Sequence, residues 1–245
     1  MPHYRLDLSY DGSGFHGFAR QAPGVRTVQG VLEEALARVF QQDLSLTVAG
    51  RTDTGVHARQ QVVGFSAERD VPPSQVLRAT TSMLGPEVVA TDCVVVDEGF
   101  SARFDARSRT YQYHILDSEV ADPLRRHTTW HVSDRLDIEA MDRVAGAFVG
   151  EHDFATFCRR KDGRATIRTV FESSVRREPD ETVVFEVRAK AFCHQMVRSL
   201  TGFLVEVGRG RRSGDTVTDL LAARDRSVVP SPAPPCGLVL WRVEY

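Results

Sequence analysis

A chain of 245 residues, 42% hydrophobic and 26% charged, has room for one large or two small folded cores and does not have a disordered composition. Its formal charge of -2 does not announce a nucleic-acid partner, and no apolar run approaches the roughly 20 residues of a membrane span. Residues 1–10 carry no charged-then-apolar leader, so a cytoplasmic address is expected.

Tyr4, Leu6, Leu8 and Tyr10 alternate with polar residues, the two-residue period of a strand, and a glycine-rich loop follows over 11–17. Thr27 is placed to cap a helix whose apolar face is Val28, Val31, Leu32, Ala35, Leu36 and Val39. Leu44, Leu46 and Val48 suggest a short strand ending at Gly50. Val62, Val63 and Phe65 mark another after a loop over 51–59. A helix over 74–84 and a strand over 88–96 complete the first half. The second half repeats the outline. A strand is predicted over 109–116, a helix through Ile138, Met141, Ala145, Phe148 and Val149, and strands over 166–176 and 182–191. Helices over 194–207 and 216–223 and a last strand over 237–245 follow.

Each half reads approximately strand–helix–strand–strand–helix–strand, the split βαβ pattern. The expected architecture is α+β: two split-βαβ (ferredoxin- or RRM-like) units joined into one mainly antiparallel sheet with helices on one face. The boundary falls within 97–107, giving an N-terminal subdomain over 1–103 and a C-terminal one over 104–245.

Cys93, Cys158, Cys193 and Cys236 form no CxxC pair, which excludes zinc-finger spacing and makes reduced, mostly buried thiols the expectation. Basic residues gather in short segments: Arg103, Arg107 and Arg109; Arg125 and Arg126; Arg159, Arg160, Lys161 and Arg164; Arg209, Arg211 and Arg212. Such clusters suit either a locally basic cleft or a solvated face.

Charge and hydroxyls concentrate in Ala49-Gly50-Arg51-Thr52-Asp53-Thr54-Gly55-Val56-His57-Ala58, between two apolar strands. Its glycines permit unusual backbone angles or close approach of another molecule. From spacing alone, Asp53 reads either as a carboxylate held at the rim of a sheet or as the cap of a turn.

This loop closely resembles the signature of the TruA family of tRNA pseudouridine synthases. So do other blocks in the same order: YDGSGFHGF from Tyr10, SARFDARSRTYQY from Ser101, His152-Asp153-Phe154, Arg168-Thr169-Val170, FCHQMVRSLTGFLVEVG from Phe192, and the terminal GLVLWRVEY. Two departures stand out: Gly17-Phe18-Ala19 where the family often has Gly-Trp-Gln, and Thr54 where Ala is usual. Phe18 keeps an aromatic ring and loses the indole donor.

The resemblance implies conversion of uridine to pseudouridine in the anticodon stem-loop of tRNA by a homodimer. The reaction gains and loses no atom or electron overall, so no cofactor is expected, and the chain has no phosphate loop and no HExxH. By the same resemblance Asp53 is the catalytic carboxylate and Arg198 its basic partner. Tyr111 stacks on the uracil, Tyr113 belongs to the core, and Arg51 enters the RNA. His57 secures the loop, with acid–base work as an alternative. Arg20, Arg107, Arg109, Arg160 and Lys161 are phosphate-contact candidates. Two other classes compete. A non-catalytic RRM-type module would want RNP aromatics, of which no convincing copy exists. An aspartyl phosphatase would want a DxD arrangement, which Thr52-Asp53-Thr54 does not supply.

Overall fold

A computed structural model describes residues 1–159, 165–214 and 217–245. Arg160, Lys161, Arg164 and Thr216 lie outside the described residues. Among the described residues, ten strands, mostly antiparallel, and five α-helices make an α+β protein, in two compact units: Met1–Arg107 with Val239–Tyr245, and Ser108–Leu238.

In the first unit the alternation of apolar residues does what its period predicts. Strand β1 (His3–Tyr10) buries Tyr4, Leu6, Leu8 and Tyr10 on one face. It lies between β3 (His57–Ser66) and β4 (Val88–Val96), both antiparallel to it. The Tyr4 ring stacks on Phe65 and meets the edge of Phe40, which belongs to α1 (Val28–Phe40). Thr27 caps α1 by accepting from the Gly30 N–H at 3.1 Å. Two further first-turn donors, Val28 N–H and Gln29 N–H, go to the carbonyls of Gly17 and Phe18. The short β2 (Thr47–Val48) pairs with β3, and α2 (Pro73–Leu84) completes the split βαβ order.

Strand β3 begins at His57, inside the segment expected to be loop. His57 and Ala58 pair in parallel with Val239 and Leu240 of β10 (Leu238–Glu244), a partner from the far end of the chain that local periodicity cannot show.

The second unit orders its strands β5 (Ser108–Asp117), β9 (Val183–Ala189), β8 (Ile167–Arg177) and β7 (Gly150–Asp153), with β6 (Trp130–Val132) parallel to β5. Neither β6 nor β7 was expected from the sequence, because three or four residues carry too little pattern. Helix α3 (Ile138–Gly146) ends before Phe148, whose buried ring meets the edge of Phe157 instead. Helices α4 (Met196–Gly208) and α5 (Val217–Ala223) follow, and α4 is buried through Met196, Val197, Leu200, Phe203, Leu204 and Val207. No helix among the described residues is long and apolar enough to cross a membrane.

The cysteine expectation needs one correction. Cys158 and Cys193 are disulfide-bonded, with Cα atoms 5.7 Å apart. Their separation of 35 residues hides a contact made when Arg159 N–H donates to the His194 carbonyl and draws the two segments together.

A buried ion pair fixes the end of β5. Asp117 accepts from both Arg177 amino groups, at 2.6 and 2.8 Å, and from the Leu136 N–H at 2.9 Å. Burial pushes its carboxyl up, but the Arg177 and Leu136 hydrogen bonds and the charges of Arg177 and Arg135 outweigh this and hold it below its ordinary value. A lowered folded-state value stabilises the fold above the unfolded pKa, and that stability is lost as pH falls through the folded one. Asp117→Asn should therefore destabilise the protein by about 3 kcal/mol at neutral pH, since it strands a partly buried guanidinium. In denaturant titrations the gap from the parent protein should close in acid; a gap independent of pH would count against the pair.

Candidate functional site

Asp53 stands half-buried on the loop between β2 and β3, and that loop is gripped from two sides. On one side the backbone of the glycine-rich loop holds it. Phe18 N–H donates to the Thr52 carbonyl at 3.1 Å and Gly55 N–H to the Phe15 carbonyl at 3.4 Å. Gly17 has a φ of +90°, and a Cβ there would sit 3.1 Å from the Thr52 oxygen and 3.4 Å from the Asp53 carbonyl carbon. Its missing side chain is what lets the loops meet. The Gly17 and Phe18 carbonyls in turn bind the first turn of α1, so a helix terminus braces the Asp53 loop through one intervening strand of chain.

From the other side a buried polar network holds the loop. The Tyr10 hydroxyl lies 2.8 Å from Thr52 Oγ1, and Gln61 Nε2 donates to the Tyr10 oxygen at 3.3 Å and to the Gly50 carbonyl at 2.6 Å. Either hydroxyl of the Tyr10–Thr52 pair can be the donor. Burial pushes the Tyr10 phenol up to about 12, while its bonds to Thr52 and Gln61 pull the other way, so it stays protonated at neutral pH. Inside the loop, Val56 N–H donates to the Asp53 carbonyl at 3.1 Å.

His57 closes the far end. Gly12 N–H donates to its Nδ1 at 3.1 Å, and an Asp11 carboxylate oxygen lies 3.1 Å from the same nitrogen. The two contacts use Nδ1 in opposite roles: without a proton it accepts from Gly12 N–H, and with one it donates to Asp11. His57 is buried between these groups, a geometry that suits anchoring the loop.

The remaining sequence-derived residues are spread over the two units. Arg51 is exposed one residue before Thr52. Arg20 is exposed and ion-paired with Glu33 at 2.6 Å. Arg107 is exposed, its N–H bound to the Glu244 carbonyl. Arg109 is buried on β5 and donates to the Lys190 carbonyl. Tyr111 and Tyr113 share one face of β5. Tyr113 is fully buried, its hydroxyl donating to the Pro234 carbonyl at 2.7 Å, and burial raises its pKa. Tyr111 meets Phe192 edge-on at 5.1 Å. Arg198 lies in the first turn of α4, its Nε donating to the Ala233 carbonyl at 2.7 Å. Several other basic residues are tied to acids or carbonyls, as Arg209 is to Asp134 and Arg212 to the Val228 carbonyl.

Sequence reading passed over Tyr10, Thr52 and Gln61 as functional residues. A removable hydroxyl tests whether the network positions Asp53. If Asp53 is the catalytic group that the resemblance implies, Tyr10→Phe should lower turnover about tenfold, near 1.4 kcal/mol in the barrier, with substrate affinity unchanged. Tyr4→Phe provides a control. Its hydroxyl is likewise buried, donating to the Val71 carbonyl and accepting from the Val71 N–H, away from the loop. That variant should lose stability and keep turnover; equal turnover losses would reduce Tyr10 to a packing residue.

The family described as tRNA pseudouridine synthase matches residues 8–105 and 144–245. A tRNA pseudouridine synthase A of Frankia casuarinae is 46% identical over 98% of this chain and 88% of its own length. One from Listeria monocytogenes is 38% identical over the whole of both chains. Among solved structures, a Cbf5-Nop10-Gar1 complex gives a TM-score of 0.38 at 14% identity over 83% of this chain and 45% of that one, a likeness too distant to add to the assignment. Matched over most of its length by the family pattern and over nearly all of it by curated relatives, the chain belongs to the tRNA pseudouridine synthase family of isomerases.

Proposed function

We propose that the chain converts uridine to pseudouridine in the anticodon stem-loop of tRNA, without a cofactor, through the carboxylate of Asp53. The observation that carries this reading is the double grip on the Asp53 loop: backbone bonds from Phe15 and Phe18 on one side, and Tyr10 with Gln61 on the other. A loop serving only as a turn needs no such support. A carboxylate aligned on a sugar carbon does.

The isomerisation breaks the bond between uracil N1 and ribose C1′ and forms one between C5 and C1′. The C5 proton leaves to solvent and N1 gains one. Asp53 acts at the ribose, either attacking C1′ or taking a sugar proton to form a glycal. The target nucleotide leaves its stack to reach the carboxylate. Arg51, exposed beside Asp53, is suited to holding the displaced strand. In this reading Tyr111 stacks on the uracil, worth about 1–3 kcal/mol, and Arg198 pairs with the carboxylate; both roles are carried by the family resemblance. His57 keeps the loop in register, and Arg20 and Arg107 meet phosphates. Arg20 must exchange Glu33 for RNA to do so. The family resemblance also supports a homodimer working in the cytoplasm.

Purified protein with tRNA tritiated at uracil C5 tests this directly. Tritium should pass to water in the presence of a metal chelator. No release, or release only when a metal is restored, would reject the cofactor-independent reading.

A further inference from the structure

In the second unit, the guanidinium of Arg226 is held in a setting that favours an anion. It sits in a short 3-10 turn, Arg226–Val228, and its Nη2 donates to Gln195 Oε1 at 2.8 Å, immediately before α4. Its Nη1 is buried and has no hydrogen-bond partner among the described residues. Arg198 is three residues beyond Gln195, and Arg159 is tied by its backbone N–H to His194 at 2.9 Å. Gln195, His194 and the first turn of α4 thus gather Arg226, Arg159 and Arg198 around one short stretch of chain.

This arrangement is costly as it stands. Burial, then the charges of Arg159 and Arg198, depress the Arg226 pKa, and no anion acts on it among the described residues. A guanidinium stays charged at neutral pH regardless, so the cost falls on the fold unless an acceptor arrives. Buried donors left without a partner call for an occupant.

We propose that Arg226, together with Arg159, forms a binding site for a phosphodiester of the RNA backbone. The inference rests on the reading of the substrate as tRNA, which supplies such anions at every nucleotide. A phosphodiester offers two unbridged oxygens and one negative charge, matching a guanidinium fork with an unused edge.

The test is equilibrium binding of an unmodified tRNA transcript across a salt series, which needs no turnover. Arg226→Gln and Arg159→Gln should each weaken binding about 5- to 20-fold at low salt. Each should also lower the slope of log affinity against log salt by about 0.7 to 0.9, the loss of one phosphate contact. Arg226→Lys should keep the parent slope. If Arg226 only props Gln195, Arg226→Gln lowers thermal stability and turnover with the slope unchanged, and the proposal is overturned. Should Arg226→Gln fail to fold, Arg159→Gln, at an exposed position, decides by the same slope. Failure of the functional reading itself would look different: no tritium release by the parent protein, whatever the slopes.

Discussion

Asp53→Asn should abolish turnover, by about 10⁴-fold or more, while tRNA binds within a few-fold of the parent protein. The amide is nearly isosteric with the carboxylate and keeps the backbone bonds of the loop, including that from Val56 N–H to the residue-53 carbonyl. What it loses is the negative oxygen that, in the proposed mechanism, attacks C1′ or accepts the sugar proton. A carboxamide is far too weak a nucleophile and base for either step, and no neighbouring carboxylate in the loop replaces it. Affinity should survive because phosphate contacts from arginines dominate RNA binding. Single-turnover kinetics with saturating enzyme separate the two quantities, and Asp53→Glu, with the charge one methylene too far, should recover only a small part of the rate.

The second large effect needs no change in the loop itself. Gly12→Ala places a Cβ 2.0 Å from the Val56 carbonyl oxygen and 2.5 Å from its carbon. Both obstacles are backbone, so no side-chain rotation relieves them, and either the 3-10 turn at Gly12–Gly14 or the Asp53 loop must move. The same shift breaks the bond from Gly12 N–H to His57. Stability should drop by about 3 kcal/mol, the upper range for an overpacked site, and turnover by about 100-fold, as expected for a catalytic group displaced by about 1 Å. Gly99→Ala is the matched control, because nothing lies within 4 Å of the added carbon. Calorimetry and turnover on both variants check the pair; a silent Gly12→Ala would mean that the two loops yield freely.

These expectations show where sequence stops informing. The period-two run from Tyr4 to Tyr10 and the apolar stripe of α1 locate a strand and a helix because each buries one face, and burial leaves its period in the residues. Thr27 announces its cap for the same local reason. The start of β3 was missed because its partner, β10, is almost two hundred residues away, and the brief β6 and β7 have no room for a period. The site divides in the same way. Asp53, Arg51 and His57 stand together in one motif. Gln61 left only a faint signal, an amide among valines whose side chain proves to be wholly buried. Tyr10 read as one more aromatic of the strand, since nothing local reveals that its hydroxyl meets Thr52. That Arg226 Nη1 has no partner among the described residues leaves no sequence signature at all, because it is a property of the folded chain.

The most direct trial is made in cells. Pseudouridine in total tRNA should be mapped in a strain lacking the gene and in the same strain carrying either the parent sequence or Asp53→Asn at equal protein levels. The account predicts loss of pseudouridine from the anticodon stem-loop, restored by the parent sequence and not by the variant. Restoration by Asp53→Asn would contradict it.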